Sequence, residues 1–253
     1  MKRAPLYCLL LFVALSGCDQ SASNQEFNIL RAFPHDPHAY TQGLVFQDGI
    51  LYESTGRYGE SSVRKVALET GEVLSMEALP EEYFGEGLAL VGSELVQLTW
   101  KAGVALVYDA ESLTLKRTYD YTGEGWGLCY DGESLYMSNG SDRLTRRDAR
   151  TFEALGEIAV TKDGFPVWRL NELECVGDQI FANVYQTNRI VRVDKVTGRV
   201  TSEMDGYRLS VASKRPPNPE AVFNGIAHDP GTGYFYMTGK LWPDLFEIQL
   251  LGG

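Results

Sequence analysis

The chain has 253 residues, and its 34 acidic side chains outnumber 23 basic ones, leaving a formal charge of −11. Such a surface repels nucleic acid and anionic headgroups, which excludes both as partners, and it mildly favours a substrate carrying a free amino group. Cysteine is sparse, with no CxxC and no spacing suited to a structural zinc site.

Taken in chain order, the elements begin with a leader. Lys2 and Arg3 precede an almost wholly apolar stretch from Tyr7 to Leu15, too short to span a bilayer comfortably. It ends in Leu15-Ser16-Gly17-Cys18, which resembles the lipobox of bacterial lipoproteins. The resemblance implies removal of residues 1–17 and a diacylglycerol on the Cys18 thiol. It further implies an exported lipoprotein on the periplasmic side of the membrane, attached by that lipid alone. Residues 18–26 are polar and read as a tether, leaving 27–253 as the folded domain. That domain keeps only Cys129 and Cys175. In an oxidising compartment they could pair, but the reading favours two buried thiols.

The domain repeats itself, and the repeat decides the fold class. Residues 42–56 (QGLVFQDGILYESTG), 86–100 (EGLALVGSELVQLTW) and 126–140 (WGLCYDGESLYMSNG) share one pattern, and 171–185 and 224–240 carry divergent copies. Each holds a short apolar strand, a glycine-containing turn and an alternating strand rich in Tyr, Leu and Val. Most continue into third and fourth strands, and no helical period persists for ten residues. The starts at 42, 86, 126, 171 and 224 give steps of 44, 40, 45 and 53 residues. A four-stranded antiparallel unit at this period predicts an all-β, five-bladed β-propeller. The longer last step coincides with SVASKRPPNPE (210–220), read as an inserted loop. The last copy has only three strands, at about 223–228, 233–238 and 244–250. FNILRAF (27–33) is predicted to supply the fourth, closing the ring and removing its open edge.

Aligned copies turn single residues into rings. Gln42, Glu86, Trp126, Asn171 and Asn224 all open the strand nearest the axis, so they converge on one mouth of the central channel. The second strands return to that mouth at Gly56, Trp100, Gly140, Tyr185 and, after a two-residue slip, Lys240. One carboxylate, three carboxamides, a lysine and several aromatic rings then share a concave site. Burial against aromatics raises a carboxylate pKa, whereas Lys240 lowers it, so the sequence leaves the direction at Glu86 open.

These residues resemble the glutamine cyclotransferases of plant and bacterial type. The carrying motifs are FPHDPHAYTQGL (33–44), FGEGLA (84–89), LTW (98–100), GWGL (125–128), LNELE (170–174), NGIAHDP (224–230) and TGKLW (238–242). The resemblance implies a five-bladed propeller, without cofactor or zinc, acting on peptides or proteins with N-terminal Gln. It implies cyclisation of that residue to pyroglutamate with release of ammonia. By the same resemblance Glu86 is the acid/base, Lys240 and Asn171 polarise the γ-carbonyl, and Gln42 holds the substrate. Tyr40, Phe84, Trp100 and Trp126 form the walls, joined by Tyr185 and Asn224 at the substrate. Many relatives carry Trp where this chain has Tyr185, which keeps an aromatic face and adds a hydroxyl. A monomer is the default. Two rival readings stay open on residues alone: a non-catalytic peptide-binding propeller and a calcium-dependent, lactonase-like hydrolase.

Overall fold

A computed structural model describes residues 21–252. The predicted leader (1–17) and Cys18, the expected lipidation site, lie outside the described residues. Five sheets, each built on four antiparallel strands, form a five-bladed propeller. Their innermost strands are Thr41–Gln47, Gly85–Val91, Leu128–Tyr130, Leu170–Val176 and Phe223–His228, one for each blade in chain order. The alternating second strands predicted from the repeat follow each one across a tight turn.

The ring closes as expected. Strand Glu26–Pro34 pairs antiparallel with Asp244–Leu251 and completes the fifth blade, beginning one residue before the predicted segment. Part of the expected tether is also bound. Ser23–Asn24 pairs in parallel with Val200–Asp205 of blade 4, and the Gln25 amide donates to the Glu203 carbonyl at 2.8 Å. An outermost strand presents backbone groups without a neighbour, and here the N-terminal segment covers them. The inserted loop also differs in detail. A six-residue helix, Tyr207–Ala212, opens it before the prolines.

The core consists of layers between blades rather than one central mass. Val96 and Leu98 of blade 2 pack with Leu128, Leu135 and Met137 of blade 3. Phe181 and Ile190 of blade 4 meet Phe223, Phe235 and Trp242 of blade 5. Fully burying such a side chain contributes about 1.5–3 kcal/mol, so each interface holds its two blades strongly.

Close to the axis the blades approach so tightly that glycine is required. A Cβ on Gly43 would sit 2.5 Å from the Leu88 amide, and one on Gly127 would sit 1.9 Å from the Asn171 carbonyl. Gly87 meets the Leu128 amide in the same way, which explains the glycine after Glu86. Blade 4 carries Glu172 at the equivalent position. Its buried carboxyl group accepts the amides of Leu44 (3.3 Å) and Ile226 (2.8 Å), tying blades 1, 4 and 5 together.

The expectation of two free thiols is overturned. Cys129 and Cys175 form a disulfide, with Cα atoms 5.4 Å apart, because the innermost strands of blades 3 and 4 run side by side. The link closes a loop of 46 residues, so reduction with dithiothreitol is expected to cost about 2–4 kcal/mol. Thermal melting with and without reductant checks this, and a melting temperature unmoved by reductant would contradict it.

Candidate active site

The first strands are not regular at the mouth, and that irregularity aims the site. Register shifts fall between Thr41 and Gly43, Gly85 and Leu88, Leu170 and Leu173, and Phe223 and Ile226. Gln42, Glu86, Asn171 and Asn224 therefore all lie in bulges, which leave a residue unpaired and redirect its side chain. Trp126 occupies the same place in blade 3, just ahead of the strand, where its amide bonds the Ser138 carbonyl at 3.0 Å. The second strands end opposite these bulges. Trp100 donates its amide to the Phe84 carbonyl, Tyr185 to that of Arg169, and Lys240 to that of Val222, at 2.9, 2.8 and 2.9 Å.

These ends enclose a cavity of about 220 Å³. Gln42, Glu86, Asn171 and Lys240 line it together with the rings of Tyr40, Phe84, Trp100, Trp126 and Tyr185. Of the predicted site residues within 21–252, Asn224 alone stands behind the wall. It is fully buried, and its Nδ2 donates to the Thr41 carbonyl at 3.0 Å and to Gln42 Oε1 at 3.5 Å. Gln42 Nε2 in turn donates to Glu86 Oε1 at 3.0 Å. A relay of carboxamides thus orients the carboxylate, while the Ser54 hydroxyl holds the Glu86 carbonyl. Asn171 is buried at the cavity wall, and its Oδ1, itself shielded from solvent, has no partner among the described residues.

The aromatic walls touch edge to face. Phe84 lies 6.1 Å from Tyr40 and 5.5 Å from Trp100, and Trp126 lies 5.5 Å from Tyr185. The Lys240 ammonium sits over two rings, 4.6 Å from Tyr40 and 5.1 Å from Tyr185. Cation–π contact of this kind holds a buried ammonium without a fully paired anion.

The sequence pattern of the glutamine cyclotransferase family matches residues 6–250. The chain belongs to that family. A glutaminyl-peptide cyclotransferase of Arabidopsis thaliana is 38% identical over 238 residues, covering 93% of this chain and 74% of the plant protein. The crystal structure of Myxococcus xanthus glutaminyl cyclase superposes with a TM-score of 0.86 at 40% identity, covering 90% of this chain and 98% of that one. The WD40 repeats of RRP9 reach 0.55 at 9% identity, over 91% of this chain and 99% of theirs, a likeness of fold alone.

In this family member the geometry answers what the residues left open. Burial raises the Glu86 pKa well above the ordinary carboxylate value and outweighs the lowering by Lys240. Burial likewise lowers Lys240 to about 8, against the opposing pull of Glu86 and Glu220. Glu220 is one of the residues that sequence reasoning missed. It comes from the inserted loop, lines the cavity and pairs with Arg57 at 3.2 Å. It closes a proline-rich segment that has no period by which to place it. Glu124 was missed as well: one of its oxygens accepts both indole N–H groups, from Trp100 at 2.8 Å and Trp126 at 3.0 Å.

Proposed function

We propose that this chain converts the N-terminal glutaminyl residue of a peptide to pyroglutamate with release of ammonia. The observation that carries the reading is the Glu86 carboxylate, 5% exposed, oriented by Gln42 inside an aromatic-walled cavity that also holds Lys240. The free α-amine attacks the γ-carboxamide carbon, forming the ring C–N bond. Glu86 takes the proton from the attacking nitrogen and returns it to the departing one, so that ammonia leaves rather than an amide anion. Lys240 and the Asn171 side-chain amide stabilise the oxygen that gains charge as the carbon becomes tetrahedral. The rings fold the Gln side chain back on its own amine, which lowers the barrier by positioning.

Support also comes from the family relatives, whose names describe glutaminyl cyclisation. Among the described residues no group of three or more His, Cys, Asp or Glu is placed to hold a metal ion. The reaction proposed is one without zinc, and the calcium-dependent alternative is the weaker reading because Trp126 and Lys240 line the cavity where such a site needs oxygen ligands.

The test is ammonia release from a short Gln-initiated peptide in excess EDTA, with an α-N-acetylated peptide as control. The expected result is release from the free peptide only, unaffected by the chelator. Loss of turnover in EDTA, restored by added metal, would overturn the metal-free mechanism. A folded protein that releases no ammonia from any such peptide would overturn the reaction itself.

A further inference from the structure

The cavity wall is a ring with two gaps. Tyr40, Phe84 and Trp100 touch in series, and so do Trp126 and Tyr185. Lys240 bridges the gap from Tyr185 to Tyr40 with its ammonium. Among the described residues no ring contact bridges Trp100 to Trp126, which belong to different blades. That gap is spanned by Glu124, whose Oε2 accepts both indole N–H groups at 2.8 and 3.0 Å.

We infer that Glu124 is a positioning residue whose single oxygen fastens Trp100 to Trp126 and so sets the width of the cavity for the substrate's side chain. This rests on the proposed reaction at the same cavity and adds to it a residue that does not line the cavity.

Three features argue for a fixed fastener. The adjacent Gly125 amide donates to the Trp100 carbonyl at 2.9 Å, anchoring the loop that carries Glu124. A Cβ at Gly125 would lie 3.1 Å from the Thr99 carbonyl and closer still to the Tyr121 hydroxyl, so the loop is held tightly against the blade. Lys101 closes over the other side, with its ammonium 3.8 Å from the Trp100 ring centre and 3.9 Å from Glu124 Oε1. Both tryptophans are half-buried, so their indole N–H groups require an acceptor, and a shared carboxylate supplies two charge-assisted bonds. Without it no ring contact among the described residues joins the Trp100 ring, held by Phe84 and Lys101, to the Trp126 ring, held by Tyr185.

The experiment compares wild type, Glu124→Ala and Glu124→Gln. Gln retains an oxygen able to accept both N–H groups and removes only the charge. Ala removes the fastener. Two readouts are taken: near-ultraviolet circular dichroism with tryptophan emission in the absence of substrate, and kcat and KM on a Gln-initiated peptide. For Glu124→Ala we expect an altered tryptophan band, red-shifted emission, and a loss in kcat/KM of about 10- to 100-fold, carried mainly by KM. Glu124→Gln is expected to recover the wild-type spectrum and most of the lost kcat/KM. An Ala variant with unchanged spectrum and unchanged kcat/KM would overturn the inference. So would a Gln variant as impaired as Ala but with a wild-type spectrum, since the charge rather than the fastening would then matter. Should the Ala variant fail to fold, Glu124→Asp, one methylene too short to reach both indoles, takes its place. A wild type that releases no ammonia would defeat the proposed reaction, while the spectra would still decide whether Glu124 fastens the wall.

Discussion

Glu86→Gln is expected to lower kcat by about 10²- to 10⁴-fold, with KM changed little, because Gln keeps the shape and cannot carry the proton. That range corresponds to about 2.7–5.5 kcal/mol of lost transition-state stabilisation. The variant is expected to melt no lower than wild type. Burial raises the folded-state pKa of Glu86, so the protonated form is the one that folding favours. Its contribution to stability is present below the ordinary carboxylate value and is lost as pH rises through the raised one. At neutral pH the group therefore weakens the fold, and a neutral amide relieves that cost. Ammonia release and thermal melting measured on the same preparations check both halves. An active Glu86→Gln would remove Glu86 from proton transfer, and an inactive variant that also melts much lower would make its role structural.

The residues that face the axis were legible because the fold is periodic. Once Gln42, Glu86, Trp126, Asn171 and Asn224 occupy one position of a repeat, their convergence follows from the ring, and the bulges sharpen it. Asn224 shows the limit of that reasoning. Its alignment is right, yet its amide turns towards Thr41 and Gln42, so it serves the cavity from behind. The loops that join one blade to the next have no period. Glu124 and Glu220 sit in such loops and reach the site only through folding. The Cys129–Cys175 bond was hidden for a related reason. The two residues hold slightly different places in their repeats, so alignment does not bring them together, whereas the tight packing of blades at the axis does. The direction of the Glu86 shift depended on how completely the rings exclude water, a quantity that no spacing encodes.

Lys240→Met carries the second large effect, and its pH dependence separates Lys240 from Glu86. The variant is expected to lose about 10²- to 10³-fold in kcat/KM, as when one preorganised donor to an oxyanion is removed. In wild type the charged lysine is needed, so activity should fall as pH rises through about 8, the value to which burial lowers this amine. With Met at this position that alkaline limb should vanish. The acid limb should move the other way, to higher pH, since Lys240 is the group that lowers Glu86. The α-amine of the substrate also titrates near 7.7–8.0 and shapes the acid side in both proteins. Comparing the two profiles on one peptide cancels its share. Stability supplies an independent check of sign. A lysine with a lowered folded-state pKa weakens the fold while it is charged, and the cost is relieved as pH rises from about 8 towards its ordinary value of 10.5. Lys240→Met should therefore melt no lower than wild type at pH 7, and its advantage should shrink over that window. A variant that keeps the alkaline limb would show that the limb belongs to some other group, and Lys240 would lose its place at the oxyanion.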